Sequence, residues 1–340
     1  MMYNECLSNA FIWRQSLIKR KEWKIFMDKV KIFIDGSEGT TGLRIHERFA
    51  GRDDIELLTI SQELRKDARE RARLINQSDI TFLCLPDEAA RESVSLVEND
   101  HVRVVDTSTA HRVCDGWAYG FPELSKVHRE HIKEGKRVAV PGCHATGFIS
   151  LVYPLVSSGL LPAGYPVSAF SLTGYSGGGK KMIAEYEGSE RMPELDSPRE
   201  YALSQQHKHL KEMKAVTGLS REPLFSPIVA DYYSGMVVTL PLYNEYMKNT
   251  PSPKQLQKFF AEFYQGEQFI SVMPFGSEGK GMIAGNGCAG WDGLKIYVTG
   301  NEDRVTLHAQ YDNLGKGASG AAIQCLNIML GCEESKGLNL

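Results

Sequence analysis

The feature that most constrains the fold is one short unit. An apolar run, Val30–Asp35, breaks into Gly36-Ser37-Glu38-Gly39-Thr40-Thr41-Gly42 and passes into a helical pattern over 42–50. A strand that ends in closely spaced glycines and opens a helix is half of a βαβ unit. The alternation continues: strands are predicted over 55–60, 79–85, 102–106 and 138–140, with helices over 62–76 and 87–98. Strands separated by helices of this length must pair in parallel, because a hairpin cannot join them. Beyond residue 159 the rhythm changes. Strand candidates 167–173, 227–240, 269–273, 294–299 and 305–311 follow one another with fewer helices between them, over 199–217 and 253–265. That spacing predicts an α+β region with a mainly antiparallel sheet. A long apolar helix over 317–330 closes the chain.

The expectation is an α/β chain in which a Rossmann-like parallel sheet domain, 27–143, precedes an α+β domain, 144–312. The segment 313–340 is expected to return to the first domain. With 340 residues, two domains are the expected division. Residues 1–26 lack the periodicity of the rest and read as an N-terminal extension. A chain beginning at Met27 is expected to keep fold and activity.

Charge and cysteine usage narrow the function classes. Thirty-nine basic residues against 42 acidic give a net charge of −3, which offers no electrostatic basis for nucleic-acid or membrane binding. No run approaches the roughly 18 apolar residues of a membrane span. Seven cysteines with no C-x-x-C pair argue against a disulfide framework and a zinc site, so no metal is expected. The composition is that of a soluble enzyme in a reducing compartment, the cytoplasm.

The 36–42 loop suits a pyrophosphate: glycines let the backbone approach, and helix N–H groups attract the anion. Gly36, Ser37, Gly39, Thr40, Thr41 and Gly42 are therefore cofactor candidates. The second strand ends Thr59-Ile60-Ser61 rather than in the acidic residue that binds the ribose of NAD, and Arg65 and Lys66 follow. Ser61 and Arg65 thus favour the 2′-phosphate of NADP. Cys143, in Pro141-Gly142-Cys143-His144, sits between a strand end and a helix start. That setting exposes a thiol to a helix N-terminus, which is expected to lower its pKa. A proton-transfer partner is open among His144, His207 and His209. On the expected helix, His207 and His209 diverge, which argues against their sharing a metal.

Seven segments in order resemble the N-acetyl-γ-glutamyl-phosphate reductases, specifically their type 2 branch, within the semialdehyde dehydrogenase group. They are Asp35–Gly42, Val105-Asp106-Thr107-Ser108, Tyr119-Gly120-Phe121-Pro122-Glu123-Leu124, Pro141-Gly142-Cys143, Gly174–Lys180, Lys208–Met213 and Asp312–Gly320. The resemblance runs from about Lys29 to Gly331. It implies NADPH-dependent reduction of an acyl phosphate in arginine biosynthesis, with Cys143 as nucleophile and His209 as acid/base. It also implies that Arg112 receives the acyl-phosphate group, and that Tyr175, Lys180 and Glu185 are candidate substrate contacts. Asn313 and Lys316 are expected near the nicotinamide, and the assembly to be a homodimer or homotetramer. The aspartate-semialdehyde dehydrogenases share fold and thiolate but set the nucleophile in an Asn-Cys-Thr-like context. A non-catalytic NADP-binding regulator would need no Cys143 and His209 together.

Overall fold

The computed structural model describes residues 29–340, so the expected extension 1–26 lies outside the described residues. The first sheet is built from β1 (Val30–Asp35), β2 (Ile55–Leu58), β3 (Ile80–Leu83), β4 (Arg103–Asp106), β5 (Ala118–Tyr119) and β6 (Arg137–Ala139). Its order is β2-β1-β3-β4-β6-β5, and every pair is parallel, as the strand–helix alternation requires. Successive residues of β1 face opposite ways. Ile32 and Ile34 meet Ile45 and Phe49 of α1 (Thr40–Phe49) and Ile132 of α4 (Lys126–Glu134). Phe33 meets Leu74 and Ile75 of α2 (Ala68–Gln77), and α3 (Asp87–Ser95) lies on that side through Ala90. The order reverses between β1 and β3, and the crevice beyond their carboxyl ends is where such sheets bind ligands.

The second sheet contains β7 (Ser168–Gly174), β8 (Arg199–Glu200), β9 (Leu224–Ala230), β10 (Met236–Tyr243), β11 (Ile270–Val272), β12 (Leu294–Gly300) and β13 (Arg304–Tyr311). Its order is β11-β12-β13-β10-β7-β9-β8. Only β7/β9 and β11/β12 pair in parallel, so the sheet is mixed and mostly antiparallel. One face is covered by α5 (Cys143–Ser157), α7 (Leu210–Thr217) and α8 (Pro253–Phe263), whose Phe148, Leu151, Met213, Leu256 and Phe260 pack on Val238, Leu240 and Ile296. The other face leaves Phe170, Leu224 and Tyr243 about half exposed or more.

α5 is buried on almost all sides and carries Pro154 in its interior. A proline there removes the donor that would satisfy the Ser150 carbonyl. The Tyr264 hydroxyl donates to that carbonyl instead, at 2.7 Å, and the helix runs on. The last helix, α9 (Gly320–Leu330), returns to the first sheet, where Ala322, Ile323, Leu326 and Met329 share a core with Ile34, Phe82 and Val105.

Several predicted elements differ. The helix expected over 62–76 starts at Ala68, because the Asp67 carboxylate caps the N–H groups of Arg69 and Glu70. The strand expected over 227–240 is two strands, broken by a turn in which Gly235 takes φ +117°; a side chain there would run into the Gly285 carbonyl. The helix expected over 199–217 begins only at Leu210. Upstream of it, Ala202 and Gln205 hold positive φ, and the Gln205 amide pairs with both backbone groups of Phe225 at 2.9 Å, standing in for a strand residue. α5 starts at Cys143 itself, and a π-helical turn, Gly315–Ser319, precedes α9. Two helices were not expected: α4, capped by Ser125, and α6 (Gly179–Glu187).

Candidate active site

The glycine loop closes on itself tightly. A Cβ on Gly36, which holds φ +88°, would lie 2.4 Å from the Cys84 carbonyl oxygen, and one on Gly42 would lie 2.4 Å from that of Gly36. Only glycine fits either place. Gly39 caps α1 without any side-chain bond, so the first-turn N–H groups face the cleft uncapped. Gly39, Thr40 and Thr41 line a cleft with Cys84–Asp87, Thr107–Thr109, Arg112, Cys143, His209 and Asn313. An adjoining pocket is lined by Asp35, Gly36, Ser37, Ile60, Arg65, Lys66 and Arg71. The first pocket offers uncapped helix N–H groups of the kind that suit a pyrophosphate, and the second offers Arg65 and Lys66 with no acid at the end of β2, although Glu38 and Glu92 also line it. These residues fit NADP. Ser61 is exposed beside Ile60 and does not line the pocket. Arg71 was missed by sequence reading. It is buried and held to Asp35 Oδ2 at 3.1 Å, with Glu92 at 3.3 Å, so it forms the pocket floor.

Cys143 is the first residue of α5, at the carboxyl end of β6. Three contacts fix it. Glu212 accepts from the Gly142 N–H at 3.2 Å. The Tyr311 hydroxyl donates to the Cys143 carbonyl and accepts from the Gly147 N–H at 3.1 Å, so it sits inside the first turn of the nucleophile helix. Gly317, where the π-helical turn crosses, would bring a Cβ to 3.1 Å from that of Cys143. The expected lowering of the thiol pKa does not occur. Burial pushes it up, against the pull of Arg112, of the His144 N–H and of Lys208, while Glu212 adds to the rise. The resting group is the neutral thiol.

The histidines expected to diverge instead converge. With the chain irregular before α7, the rings of His207 and His209 lie 4.6 Å apart, and His144 lies 5.4 and 5.7 Å from them. His144 bonds Ser171 Oγ and the Tyr201 hydroxyl, each at 2.6 Å, and burial lowers its pKa to about 3. His209 is 4% exposed with its Nδ1 unpartnered. Burial first, then the Arg112 charge, hold its pKa well below the usual range, so it is a neutral base. A Cβ on Gly142 would lie 2.4 Å from His209 Nε2, which sets the ring against the residue preceding Cys143. Cys143, Gly177, Lys208 and His209 also line a second pocket, with His144, Met182, Tyr201 and His207. Among the described residues no group of three or more His, Cys, Asp or Glu could hold a metal ion.

The remaining candidates divide. Arg112 lines the cleft, but its Nη1 is held by Glu212 at 2.6 Å and its Nε and Nη2 by the Val140 and Thr107 carbonyls. Asn313 lines the cleft while its amide joins Ser176 to Gly235. Tyr175, Lys180 and Glu185 do not line either pocket: Tyr175 stacks on Tyr186 and bonds Glu187, and the other two lie on the exposed side of α6. Lys316 points away from the cleft. Its ammonium is buried on Glu123 and Gln324, at 2.6 Å each, between the rings of Phe121 and Phe269. Glu212 and Tyr311 had no sequence signal beyond an acidic residue in a motif and an aromatic in a strand.

Comparison with known proteins agrees with this layout. The semialdehyde dehydrogenase NAD binding domain matches residues 28–135, and the semialdehyde dehydrogenase dimerisation domain matches 143–313. An N-acetyl-gamma-glutamyl-phosphate reductase 2 from Nostoc sp. is 46% identical over 323 residues, covering 92% of this chain and 100% of that protein. Enzymes with the name N-acetyl-gamma-glutamyl-phosphate reductase from Chelativorans sp. and Rhizobium meliloti are 48% and 45% identical, over 88% and 89% of this chain and 98% and 99% of theirs. The aspartate semialdehyde dehydrogenase II of Vibrio cholerae superposes with a TM-score of 0.67 at 14% identity, covering 90% of this chain and 99% of that one, a likeness of fold alone. A serial motif match, a nucleotide cleft and a buried Cys–His junction thus coincide in a chain that belongs to the N-acetyl-γ-glutamyl-phosphate reductase family of semialdehyde dehydrogenases.

Proposed function

We propose that this chain reduces N-acetyl-γ-glutamyl phosphate to N-acetyl-glutamate 5-semialdehyde and phosphate, in arginine biosynthesis, through a thioester on Cys143. The observation that carries this reading is the position of Cys143 and His209 where the nucleotide cleft meets the second pocket. The acyl chain occupies the second pocket, and the reacting carbon stands over the sulfur.

The electrostatics favour a neutral pair at rest. His209, a neutral imidazole at rest, takes the proton of Cys143 Sγ; because burial and the Arg112 charge disfavour the imidazolium, the transfer occurs together with attack on the acyl carbon and not before it. The C–S bond forms, and the C–O bond breaks with its electron pair going to phosphate. The His144 N–H, already directed at the sulfur, and the α5 N-terminus stabilise negative charge at this point. NADPH, when bound, supplies the hydride that reduces the thioester carbonyl. His209 returns its proton to the carbonyl oxygen, giving the hemithioacetal. It then removes that proton as the C–S bond breaks and restores the thiol. Glu212 and Arg112 keep the Gly142 turn fixed throughout.

A homodimer or homotetramer fits the uncovered face of the second sheet, where Phe170, Leu172, Ile228 and Val237 line an open groove. The mechanism needs a reduced Cys143, and the cytoplasm keeps thiols so. The direct test runs the reaction in reverse. N-acetyl-glutamate semialdehyde should reduce NADP only with phosphate present, and aspartate semialdehyde should not replace it. Phosphate-independent reduction, or equal turnover of both aldehydes, would reject the reading.

A further inference from the structure

An acyl phosphate brings a doubly charged group into the cleft, and a cation not already neutralised binds it more strongly than one held in an ion pair. Arg112 is not such a cation. Its guanidinium is 7% exposed and paired with Glu212, whose other oxygen accepts from the Tyr119 hydroxyl at 2.8 Å and from the Gly142 N–H. The pair is neutral as a unit, and its hydrogen bonds hold the turn before Cys143.

Lys208 differs in each respect. Its side chain is exposed, and it makes no ion pair among the described residues. It lies between His207 and His209 and lines both the nucleotide cleft and the second pocket, a property shared with Cys143, Gly177 and His209. Its charge is felt at Cys143, His144, His207, His209 and Asp87, which surround the junction. In the reaction proposed above, the phosphate leaves the carbon held at Cys143, whose side chain borders the nucleotide cleft. Lys208 borders that cleft beside the sulfur.

Resting on the function proposed above, we infer that Lys208 is the substrate-binding residue that receives the phosphoryl group, and that Arg112 positions the nucleophile turn. Lys208 binds the leaving phosphate in reduction and the incoming inorganic phosphate in the reverse direction.

The test uses the full chain with Lys208→Met and Lys208→Arg. A charge-assisted hydrogen bond contributes enough that its loss weakens binding about 10- to 100-fold. In Lys208→Met the KM for phosphate in the reverse reaction should rise by that factor. The KM values for NADP and N-acetyl-glutamate semialdehyde should stay within about 2-fold, and Lys208→Arg should recover most of the loss. A second readout needs no turnover: the concentration of inorganic phosphate that half-protects Cys143 from iodoacetamide should rise by the same factor. Protection that depends on Lys208 would sustain this assignment even if the reductase assay failed. A phosphate KM and protection unchanged in Lys208→Met would overturn it, as would a rise confined to the semialdehyde KM, which would assign the ammonium to the substrate carboxylate.

Discussion

Gly142→Ala isolates the geometry of the nucleophile junction from the stability of the fold. Gly142 caps α5 at φ −71°, ψ 148°, a conformation alanine adopts freely, so the backbone carries no strain. Replacing glycine removes unfolded-state freedom, a gain of about 0.4–1 kcal/mol, and an N-cap alanine gives back a similar amount. The new methyl, however, would lie 2.4 Å from His209 Nε2 and 2.5 Å from Arg112 Nη1, where ordinary contact begins at 3.4 Å. The imidazole must therefore retreat by about 1 Å, a misplacement that costs on the order of 10²-fold in rate, or about 2.7 kcal/mol of transition-state stabilisation. The expected outcome is kcat/KM lowered about 100-fold, with NADP affinity unchanged and melting temperature shifted by a few degrees at most. Three measurements check it: reverse-direction kinetics, fluorescence titration with NADPH and thermal denaturation. A folded variant with kcat/KM within threefold of the parent would refute the claim that His209 works against Gly142.

Cys143→Ser should abolish thioester formation and lower turnover by several orders of magnitude while sparing NADP binding; His209→Asn should cost roughly 10²–10⁴-fold, and the double variant should be little worse than Cys143→Ser alone, as kinetics of the three variants would show. Alkylation of Cys143 by iodoacetamide should climb only as pH passes 9.0, because burial raises the thiol; a plateau reached by pH 7 would indicate a resting thiolate and contradict the neutral pair. His144, His207 and His308, lowered to about 3, 4 and 4 by burial, together with His209, bind protons only after unfolding, so stability should be full above pH 6.5 and fall as pH drops below it. His144 alone accounts for about 2 kcal/mol at pH 5, and a melting temperature flat from pH 8 to 5 would contradict this. Arg65→Ala should narrow the preference for NADPH over NADH by about 10-fold in kcat/KM, and an unchanged ratio would remove Arg65 from the 2′-phosphate site.

The first sheet was legible because its information is local. Each strand is a short apolar run and each crossover a helix, and the glycines at 36 and 42 follow from backbone clashes that their neighbours create. Cys143 was legible for the same reason, as a thiol on a glycine turn at a helix start. What failed depended on partners distant in sequence. The segment before His209 has helical composition, yet Gln205 satisfies Phe225 twenty residues on and unwinds it. The thiol pKa was expected to fall from the helix N-terminus alone, whereas the crowding that raises it comes from several distant elements. Tyr175, Lys180 and Glu185 lie in or just after a recognisable motif, but the stacking of Tyr175 on Tyr186 and the exposed side of α6 turn them from the pockets. Tyr311 acts through backbone atoms, and Glu212 through Arg112, Tyr119 and the Gly142 N–H, partners about 70 to 100 residues away that no local pattern reveals.

The return of α9 has a consequence for how the protein is made. Ala322, Ile323, Leu326 and Met329 wall the core against which Ile34, Phe82 and Val105 pack, although nearly three hundred residues of synthesis separate α9 from β1. The nucleotide-binding sheet is translated first, and α1 and α4 cover part of that face, but its burial is completed only when the last helix leaves the ribosome. The later sheet takes its cover from α5, α7 and α8, all made close beside its strands. The part synthesised second can therefore consolidate first, and the part synthesised first must wait with an apolar face only partly covered. A nascent chain stalled short of residue 320 would present that face to chaperones and proteases.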